Sequence, residues 1–136
     1  MKKRQKQMMG KHILIVDDNQ ILRLLLADCL NEQGEDYRVD TACSGEQALS
    51  KMDARNFDLV VSDLCMSGID GLTLIKCIRE RYPGTPVILM TCWQGPEIEA
   101  AASHLGVFRN VSKPFTLETF LKVIQEALRS PRPKGI

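Results

Sequence analysis

The sequence lacks paired cysteines and long apolar runs. Its five cysteines are odd in number and contain no CxxC pair, so they predict neither a disulfide framework nor a zinc site. No apolar run approaches the ~20 residues that a membrane-spanning helix needs. Because no apolar stretch precedes Ile13, we expect no signal peptide, and cysteines used in this way are typical of the reducing cytoplasm.

An excess of charge of one sign is also missing. The 18 basic and 17 acidic residues leave a formal net charge of +1, so we expect neither direct nucleic-acid binding nor attraction to a membrane. We interpret residues 1–11 and 131–136 as solvated tails around one domain of residues 12–130. Basic residues crowd both ends of the chain, but no other feature supports the alternative of a contact with a polyanion. These basic residues are Lys2, Lys3, Arg4, Lys6, Lys11, Arg129, Arg132 and Lys134.

Five strand patterns and five helix patterns alternate along the 136 residues. Short, β-branched apolar runs predict buried strands over residues 12–16, 37–41, 58–62, 87–91 and 107–111. Apolar residues at helical spacing predict helices over about 20–30, 44–52, 70–82, 96–105 and 117–128. This alternation favours an α/β fold, a doubly wound parallel sheet with right-handed crossovers and helices on both faces.

Polar side chains stand at the ends of four of the predicted strands. Because the carboxyl ends of parallel strands meet at one edge of a sheet, where ligands bind in such folds, we expect these groups to lie together. Each has an ordinary explanation alone, as a solvated turn, a strand terminus or a surface lysine, but five at one edge favour a site. They are Asp17, Asp18, Asp63, Thr91 and Lys113.

The three acids among them predict a cation site. If the first and third strands are neighbours, Asp17, Asp18 and Asp63 meet, and like charges that close repel one another and raise their pKa values. A fold rarely assembles such a group without a cation. A hard divalent ion with oxygen ligands, most simply Mg²⁺, is the expected occupant.

In this order and spacing, the residues resemble the receiver domain of two-component response regulators. The resemblance covers about residues 12 to 130 and rests on Asp17-Asp18, the segment 63–71, Thr91 and Lys113-Pro114-Phe115. It implies a flavodoxin-like (βα)5 fold whose five parallel strands lie in the order 2-1-3-4-5, as in the chemotaxis member of the family that is a standard example of this order.

The resemblance implies a role for each site residue. Asp63 is expected to be the phosphoacceptor, with Mg²⁺ held by Asp17, Asp18, Asp63 and the backbone carbonyl of Cys65. A cis Lys113-Pro114 bond is expected to aim the lysine at the phosphoryl group. The hydroxyl of Thr91 is expected to bind that group and act as the switch.

A function follows from these roles as an expectation. A histidine kinase or phosphotransfer protein would donate the phosphoryl group, and the chain would catalyse only its own phosphorylation and dephosphorylation, so it is not expected to be an enzyme with an external substrate. The signal would reach a downstream protein target, or a second copy in a homodimer, through the face formed by the fourth helix, fifth strand and fifth helix. The sequence leaves open whether the chain stands alone or is a fragment of a longer regulator.

Four positions depart from the family pattern or bear on its kinetics. Asn110 stands where the family usually has Tyr or Phe, and alternation predicts that Phe108 shares its face and substitutes only partly. Ser67 stands where proline is common, and Cys92 where alanine is usual. Trp93, otherwise an exposed loop aromatic, is predicted to form a lid that with Cys65 slows hydrolysis of the acyl phosphate.

Two other functions remain as alternatives. Asn110 is the feature that favours a degenerate receiver acting as a phosphorylation-independent interaction module. A phosphatase of the haloacid dehalogenase type also uses an Asp nucleophile with Mg²⁺, but it usually needs a second acid two residues later as general acid. Cys65 occupies that position here, which argues against the phosphatase.

Overall fold

Strands and helices alternate along the chain in the computed structural model, which describes residues 10–93 and 95–130. The strands are β1 (Lys11–Val16), β2 (Tyr37–Ala42), β3 (Leu59–Asp63), β4 (Val87–Thr91) and β5 (Arg109–Ser112). The helices are α1 (Gln20–Asn31), α2 (Gly45–Ala54), α3 (Gly71–Arg81), α4 (Pro96–His104) and α5 (Leu117–Arg129), with a 3₁₀ turn at Gly34–Asp36. The predicted C-terminal tail, residues 131–136, and residues 1–9 of the predicted N-terminal tail lie outside the described residues. Strand β1 begins at Lys11.

The five strands form one parallel sheet in the order β2-β1-β3-β4-β5, which confirms the expected topology. The registers align the strand ends, since Val16 pairs with Ser62 and Asp63 pairs with Met90. The central strands β1, β3 and β4 are apolar on both faces, as a sheet covered on both sides requires. The polar residues that follow them therefore gather at one edge, called here the carboxyl edge.

Helices cover both faces of the sheet. The first core cluster lies between the sheet and helices α1 and α5, with Leu26, Leu30, Phe120 and Ile124 among its buried side chains. The second core cluster lies on the opposite face beneath α2, α3 and α4. These two clusters bury most of the apolar faces that the helical spacing predicted. On α1, however, Ile21 is 81% exposed and Leu25 is 48% exposed, so part of the predicted apolar face of this helix lies outside the core.

Four helices begin with a side-chain cap beside the carboxyl edge. In each, the side-chain oxygen of the residue before the helix accepts a hydrogen bond from a backbone N–H in the first turn, which satisfies a donor that the helix leaves unpaired. These caps fix where each helix starts relative to the strand before it. The capping residues are Asn19, Ser44, Asp70 and Thr116.

The fifth strand differs from its prediction. It begins at Arg109 rather than at residue 107, and the Phe108 ring packs against the first core cluster. Asn110 pairs with Leu89, whose side chain belongs to the second core cluster on the opposite face. The prediction that Phe108 and Asn110 share a face is therefore wrong, because Phe108 precedes the regular alternation of the strand.

Within the described ranges, none of the helices has the length and apolar character needed to cross a membrane.

Candidate functional site

Three carboxylates meet at the carboxyl edge of the sheet. Asp17, Asp18 and Asp63 each offer an oxygen, and these oxygens all lie within 4.8 Å of one another. Asp17 is fully buried at 0% exposure and Asp63 is buried, whereas Asp18 faces solvent. The cause is the adjacency of β1 and β3, which the sequence argument required.

The segment that follows β1 holds Asp17 in place. The Asn19 N–H donates to Asp17 Oδ1 at 2.9 Å, and Arg23 Nη1 donates to the Asp17 carbonyl oxygen at 2.7 Å. Asn19 caps α1 and Arg23 lies in its first turns. Asn19 thus orients the buried carboxylate through Oδ1 and leaves the second oxygen, Oδ2, to face Lys113.

Lys113 supplies the positive charge of the site. Its Nζ lies 3.1 Å from Asp63 Oδ1 and 3.3 Å from Asp17 Oδ2. The Lys113 N–H donates to the Thr91 carbonyl at 2.8 Å, which joins the chain beyond β5 to the end of β4. The Lys113–Pro114 peptide bond is cis, as the resemblance implied.

This group of side chains carries more negative than positive charge. Burial, followed by the charge of Asp17, raises the pKa of Asp63 above its ordinary value, and Lys113 offsets this only in part. Burial lowers the pKa of Lys113, but its hydrogen bond to Asp63 and the charges of both acids outweigh burial, so that pKa is raised. One ammonium among three carboxylates leaves an excess of two negative charges.

The donor set fits a hard divalent cation. Every side-chain donor of the group is a carboxylate oxygen, the oxygens are close enough to share one ion, and the charge excess equals the charge of Mg²⁺. Sulfur is a poor ligand for such an ion, so the Cys65 thiol does not belong to this set. A contribution from the Cys65 carbonyl stays a prediction.

Ser67 contacts the exposed member of the acid group. Its N–H donates to Asp18 Oδ2 at 3.1 Å, and its hydroxyl lies 3.4 Å from the same oxygen. Proline, which is common in the family at this position, has no N–H to donate. The departure at Ser67 is evident from the sequence, but its contact with Asp18 is not, because the two residues lie 49 positions apart.

Gly71 sets the distance between α3 and the end of β3. A Cβ at this position would lie 2.3 Å from the Asp63 carbonyl oxygen and 2.7 Å from the Leu64 Cα. The Gly71 N–H donates to the Leu64 carbonyl at 2.8 Å, so helix and strand end are in direct backbone contact. Sequence reasoning missed this role, and the one available signal was a glycine directly after the capping residue Asp70.

Thr91 lies at the carboxyl edge, but its hydroxyl is bonded within its own loop. Thr91 is the buried last residue of β4, and its hydroxyl donates to the Trp93 carbonyl at 2.9 Å while accepting from the Trp93 N–H at 2.8 Å. Trp93 itself is 59% exposed, as expected of a loop aromatic. Its lid role stays a prediction.

Asn110 carries a polar atom without a visible partner. Its Oδ1 is buried and makes no hydrogen bond to the described residues. A buried amide oxygen without a hydrogen-bond partner lowers the stability of the folded state.

Comparison with known proteins points to one family. The family model described as the response regulator receiver domain matches residues 13–125. The transcriptional regulatory protein GlrR of Escherichia coli is 37% identical over 122 residues, which are 90% of this chain and 27% of that protein. The chain therefore spans about a quarter of the length of this curated relative.

Solved structures agree in fold over nearly their whole length. The chemotaxis protein CheY4 of Vibrio cholerae is 32% identical with a TM-score of 0.82, covering 88% of this chain and 99% of that chain. The response regulator protein TrrA of Thermotoga maritima, solved in complex with Mg²⁺ and BeF, is 34% identical with a TM-score of 0.77, covering 87% of this chain and 99% of that chain.

Proposed function

This chain belongs to the response regulator receiver domain family, and we propose that Asp63 is its phosphoacceptor. The observation that carries the proposal is the position of the Asp63 carboxylate at the carboxyl edge, 3.1 Å from the Lys113 ammonium and within 4.8 Å of two further acids. A nucleophilic carboxylate needs nearby positive charge when it approaches a phosphoryl group, and Lys113 is placed to supply it.

The chemistry at Asp63 is a phosphoryl transfer. An Asp63 carboxylate oxygen attacks phosphorus, the bond from phosphorus to the donor's nitrogen or oxygen breaks, and an acyl phosphate forms on the side chain. The protein contributes position and charge rather than covalent steps of its own. Lys113 would then pair with a phosphoryl oxygen as well as with Asp17.

A magnesium ion completes the charge balance in this proposal. Asp17, Asp18, Asp63 and the Cys65 carbonyl would hold the ion, and when bound it screens the phosphate from the three carboxylates. Asp17 is already oriented for this role by Asn19 and Arg23, and Asp18 by Ser67. The acids therefore need little rearrangement to act as ligands.

Thr91 is proposed as the switch. Its hydroxyl would exchange the Trp93 backbone for a phosphoryl oxygen, which draws the loop after β4 toward Asp63. This movement shifts a two-state equilibrium that the downstream partner reads. Its location at the end of β4, next to β3 in the sheet, supports the assignment.

The partners are proposed from the family. A histidine kinase or phosphotransfer protein would donate the phosphoryl group, and a downstream protein would read the face of α4, β5 and α5, which a homodimer could also use. Because the chain spans only about a quarter of GlrR, any activity of a whole regulator is part of the proposal. A cytoplasmic location likewise stays a prediction.

Labelling with a small phosphodonor tests the assignment. The protein is incubated with acetyl phosphate and Mg²⁺, and intact-mass spectrometry then measures addition of one phosphoryl group. We expect labelling of the wild type, loss of labelling in Asp63→Asn, and normal labelling in the matched control Asp40→Asn, whose carboxylate lies on β2 away from the acid group. Equal labelling of Asp63→Asn and wild type would refute the assignment.

A second candidate, an interaction module that does not need phosphorylation, is favoured by Asn110. The aromatic residue that relays the switch in relatives is replaced by an amide whose buried Oδ1 lacks a partner among the described residues. Hydrogen exchange of α4, β5 and α5 with and without beryllofluoride separates the two. Protection changes there in the wild type support a working switch, whereas changes only in Asn110→Tyr support the module.

A further inference from the structure

Two exposed thiols stand beside the acceptor carboxylate. Cys65 lies two residues beyond Asp63 in the loop after β3, and Cys92 directly follows Thr91 in the loop after β4. Both are free and exposed. The proposed phosphorylation chemistry uses neither sulfur atom.

The two cysteines follow neighbouring strands. Asp63 pairs with Met90 in the parallel ladder, and the Leu64 N–H continues this ladder by donating to the Met90 carbonyl at 2.9 Å. Cys65 and Cys92 each lie two residues beyond this pair, in the loops that leave β3 and β4. Neighbouring strands lie about 4.8 Å apart and a disulfide spans Cα separations of roughly 4.4–6.8 Å, so loops that leave the sheet side by side can bring two cysteines within reach of each other.

Cys92 shares a cleft with the lysine of the Asp63 site. Cys92 lines one apolar cleft with Lys113, Pro114, Phe115 and Leu22, and Lys113 contacts Asp63. Burial, followed by the charges of Asp63 and of Cys92, raises the pKa of the Cys65 thiol.

We propose that Cys65 and Cys92 are a redox modification site that a peroxide closes into a disulfide across the mouth of the Asp63 site. One thiol attacks a peroxide oxygen, so that a sulfur–oxygen bond forms, the oxygen–oxygen bond breaks and water leaves. The second sulfur attacks the resulting sulfenic acid, the disulfide bond forms and a second water leaves. Two thiols are oxidised to one disulfide while one peroxide is reduced to two waters.

The disulfide joins the two loops that border Asp63. It covers the approach of a phosphodonor and ties the loop that carries Thr91 to the loop that follows Asp63. A phosphoryl group therefore cannot reach Asp63 until a thiol reductant opens the bond. This consequence rests on the proposed function, whereas formation of the disulfide does not.

The remaining cysteines provide internal controls. Cys29 is buried and Cys77 half-buried, so neither is open to oxidants as Cys65 and Cys92 are. Cys43 is exposed and follows β2, but β1 separates β2 from β3 in the sheet. Cys43 thus matches the pair in exposure and in its position after a strand, while lying two strands from Cys65.

Peptide mapping tests the disulfide directly. The full chain is treated with hydrogen peroxide, free thiols are alkylated, and non-reducing digestion is followed by mass spectrometry. We expect one linked peptide that joins Cys65 to Cys92, a loss of two hydrogens and full reversal by dithiothreitol, while Cys43 remains alkylated. Separate oxidation of the two cysteines without a linked peptide, or linkage of either to Cys43, would overturn the proposal.

Labelling with acetyl phosphate tests the consequence. Peroxide should reduce labelling of the wild type to background, and dithiothreitol should restore it. Cys92→Ser should label equally before and after peroxide, and Cys43→Ser should respond as the wild type does. Equal loss of labelling in oxidised Cys92→Ser would overturn blockage by the disulfide. Absence of labelling in every reduced protein would refute the proposed function and leave the peptide map as the test of the disulfide.

Discussion

The two edges of the sheet treat charge in opposite ways. At the edge where the strands begin, called here the amino edge, charged groups are matched by partners. His12, the second residue of β1, has its Nε2 3.1 Å from Asp40 on β2, which also accepts from Arg55 Nη1 at 2.7 Å. The His12 N–H donates at 2.8 Å to Asp58, which directly precedes β3. At the carboxyl edge, three carboxylates lie together and one lysine contacts two of them, Asp17 and Asp63.

Arg79 is the clearest example of the matched kind. Its guanidinium donates to the carbonyls of Leu105, Thr85 and Gly106 at 2.8, 2.5 and 3.0 Å, with a longer contact to Pro83 at 3.4 Å. These carbonyls belong to the turn before β4 and the end of α4. One side chain thereby joins α3 to both segments, and burial lowers its pKa without leaving its donors unused.

The difference shows which edge the chain uses for stability and which for chemistry. Charged groups that have partners stabilise the folded state and leave no unpaired charge for a ligand to bind. An unmatched acidic group costs stability in the free protein, and that cost is recovered when a cation binds. Substitutions at the two edges should therefore have opposite effects on stability and on labelling.

The largest expected effect is at the amino edge. Replacing Arg79 with alanine leaves several carbonyls without their donor and should lower the free energy of unfolding by about 2–4 kcal/mol. Urea unfolding measures this, and labelling at low temperature should stay normal. The matched control is Arg81→Ala, whose exposed pair with Asp53 at 3.5 Å should contribute less than about 1 kcal/mol. Similar losses in both variants would contradict the role assigned to Arg79.

The next effect tests whether backbone contact positions the acceptor. Gly71→Ala places a Cβ 2.3 Å from the Asp63 carbonyl, so strand and helix must separate at a cost of about 1–3 kcal/mol. Unlike Arg79→Ala, it should also slow labelling, because the carboxylate moves relative to Lys113. The control is Gly34→Ala, which meets no atom within 4 Å and whose strain at φ +83° lies far from the acids. Normal labelling of folded Gly71→Ala would show that the contact is only structural.

Asp63→Asn is expected to stabilise the protein, in contrast to Arg79→Ala and Gly71→Ala. Asp63→Asn removes one of three like charges, and Lys113 keeps Asp17 as partner, so unfolding free energy should rise by about 1–2 kcal/mol near neutral pH. Because burial and Asp17 raise the folded-state pKa of Asp63, ionisation of this group disfavours folding. The protonated Asp63 side chain therefore favours the folded state. This contribution to stability is complete below the ordinary pKa of an aspartate and is lost as the pH rises through the raised pKa.

The pH dependence supplies the check on that prediction. The advantage of Asp63→Asn in chemical unfolding, measured without Mg²⁺, should be greatest at neutral pH and disappear as the medium becomes acidic. Asp40→Asn should instead destabilise the protein, since Asp40 is matched by His12 and Arg55. A constant advantage across pH would mean that charge is not its cause.

The smallest expected effect concerns the orientation of Asp18 at the carboxyl edge. Ser67→Pro removes the N–H that orients Asp18 and should weaken Mg²⁺ binding by no more than about tenfold. Ser67→Ala keeps the N–H and loses only the 3.4 Å hydroxyl contact, so its affinity should be unchanged. Fluorescence of Trp93, the one tryptophan of the chain, can follow both titrations. Equal weakening in both variants would assign the effect to the hydroxyl.

Much of the fold and the acid group could be predicted because their signals are local. Buried parallel strands appear as continuous apolar runs, and the acids directly follow two of them, so one assumption about strand order brought Asp17 and Asp63 together. Strand order itself came from the family resemblance. Its confirmation placed Lys113 and Thr91 at the same edge.

What could not be predicted depends on contacts between distant parts of the chain. Arg79 bonds carbonyls up to 27 positions away, and backbone carbonyls carry no sequence signal. The contact between Ser67 and Asp18 depends on how two loops approach each other. The face of Phe108 was predicted wrongly because strand alternation was extended to this residue, which lies just before β5 begins at Arg109.

The two hydrogen bonds between the Thr91 hydroxyl and the Trp93 backbone have a consequence for signal strength. Each of these hydrogen bonds contributes about 0.5–1.5 kcal/mol, and both must be given up before the hydroxyl can turn to a new acceptor. The free energy of these two hydrogen bonds is thus a threshold that the loop after β4 must overcome before it leaves its resting conformation. Substitutions that weaken this threshold would make the domain respond to weaker input, and would also raise its background output when no input is present.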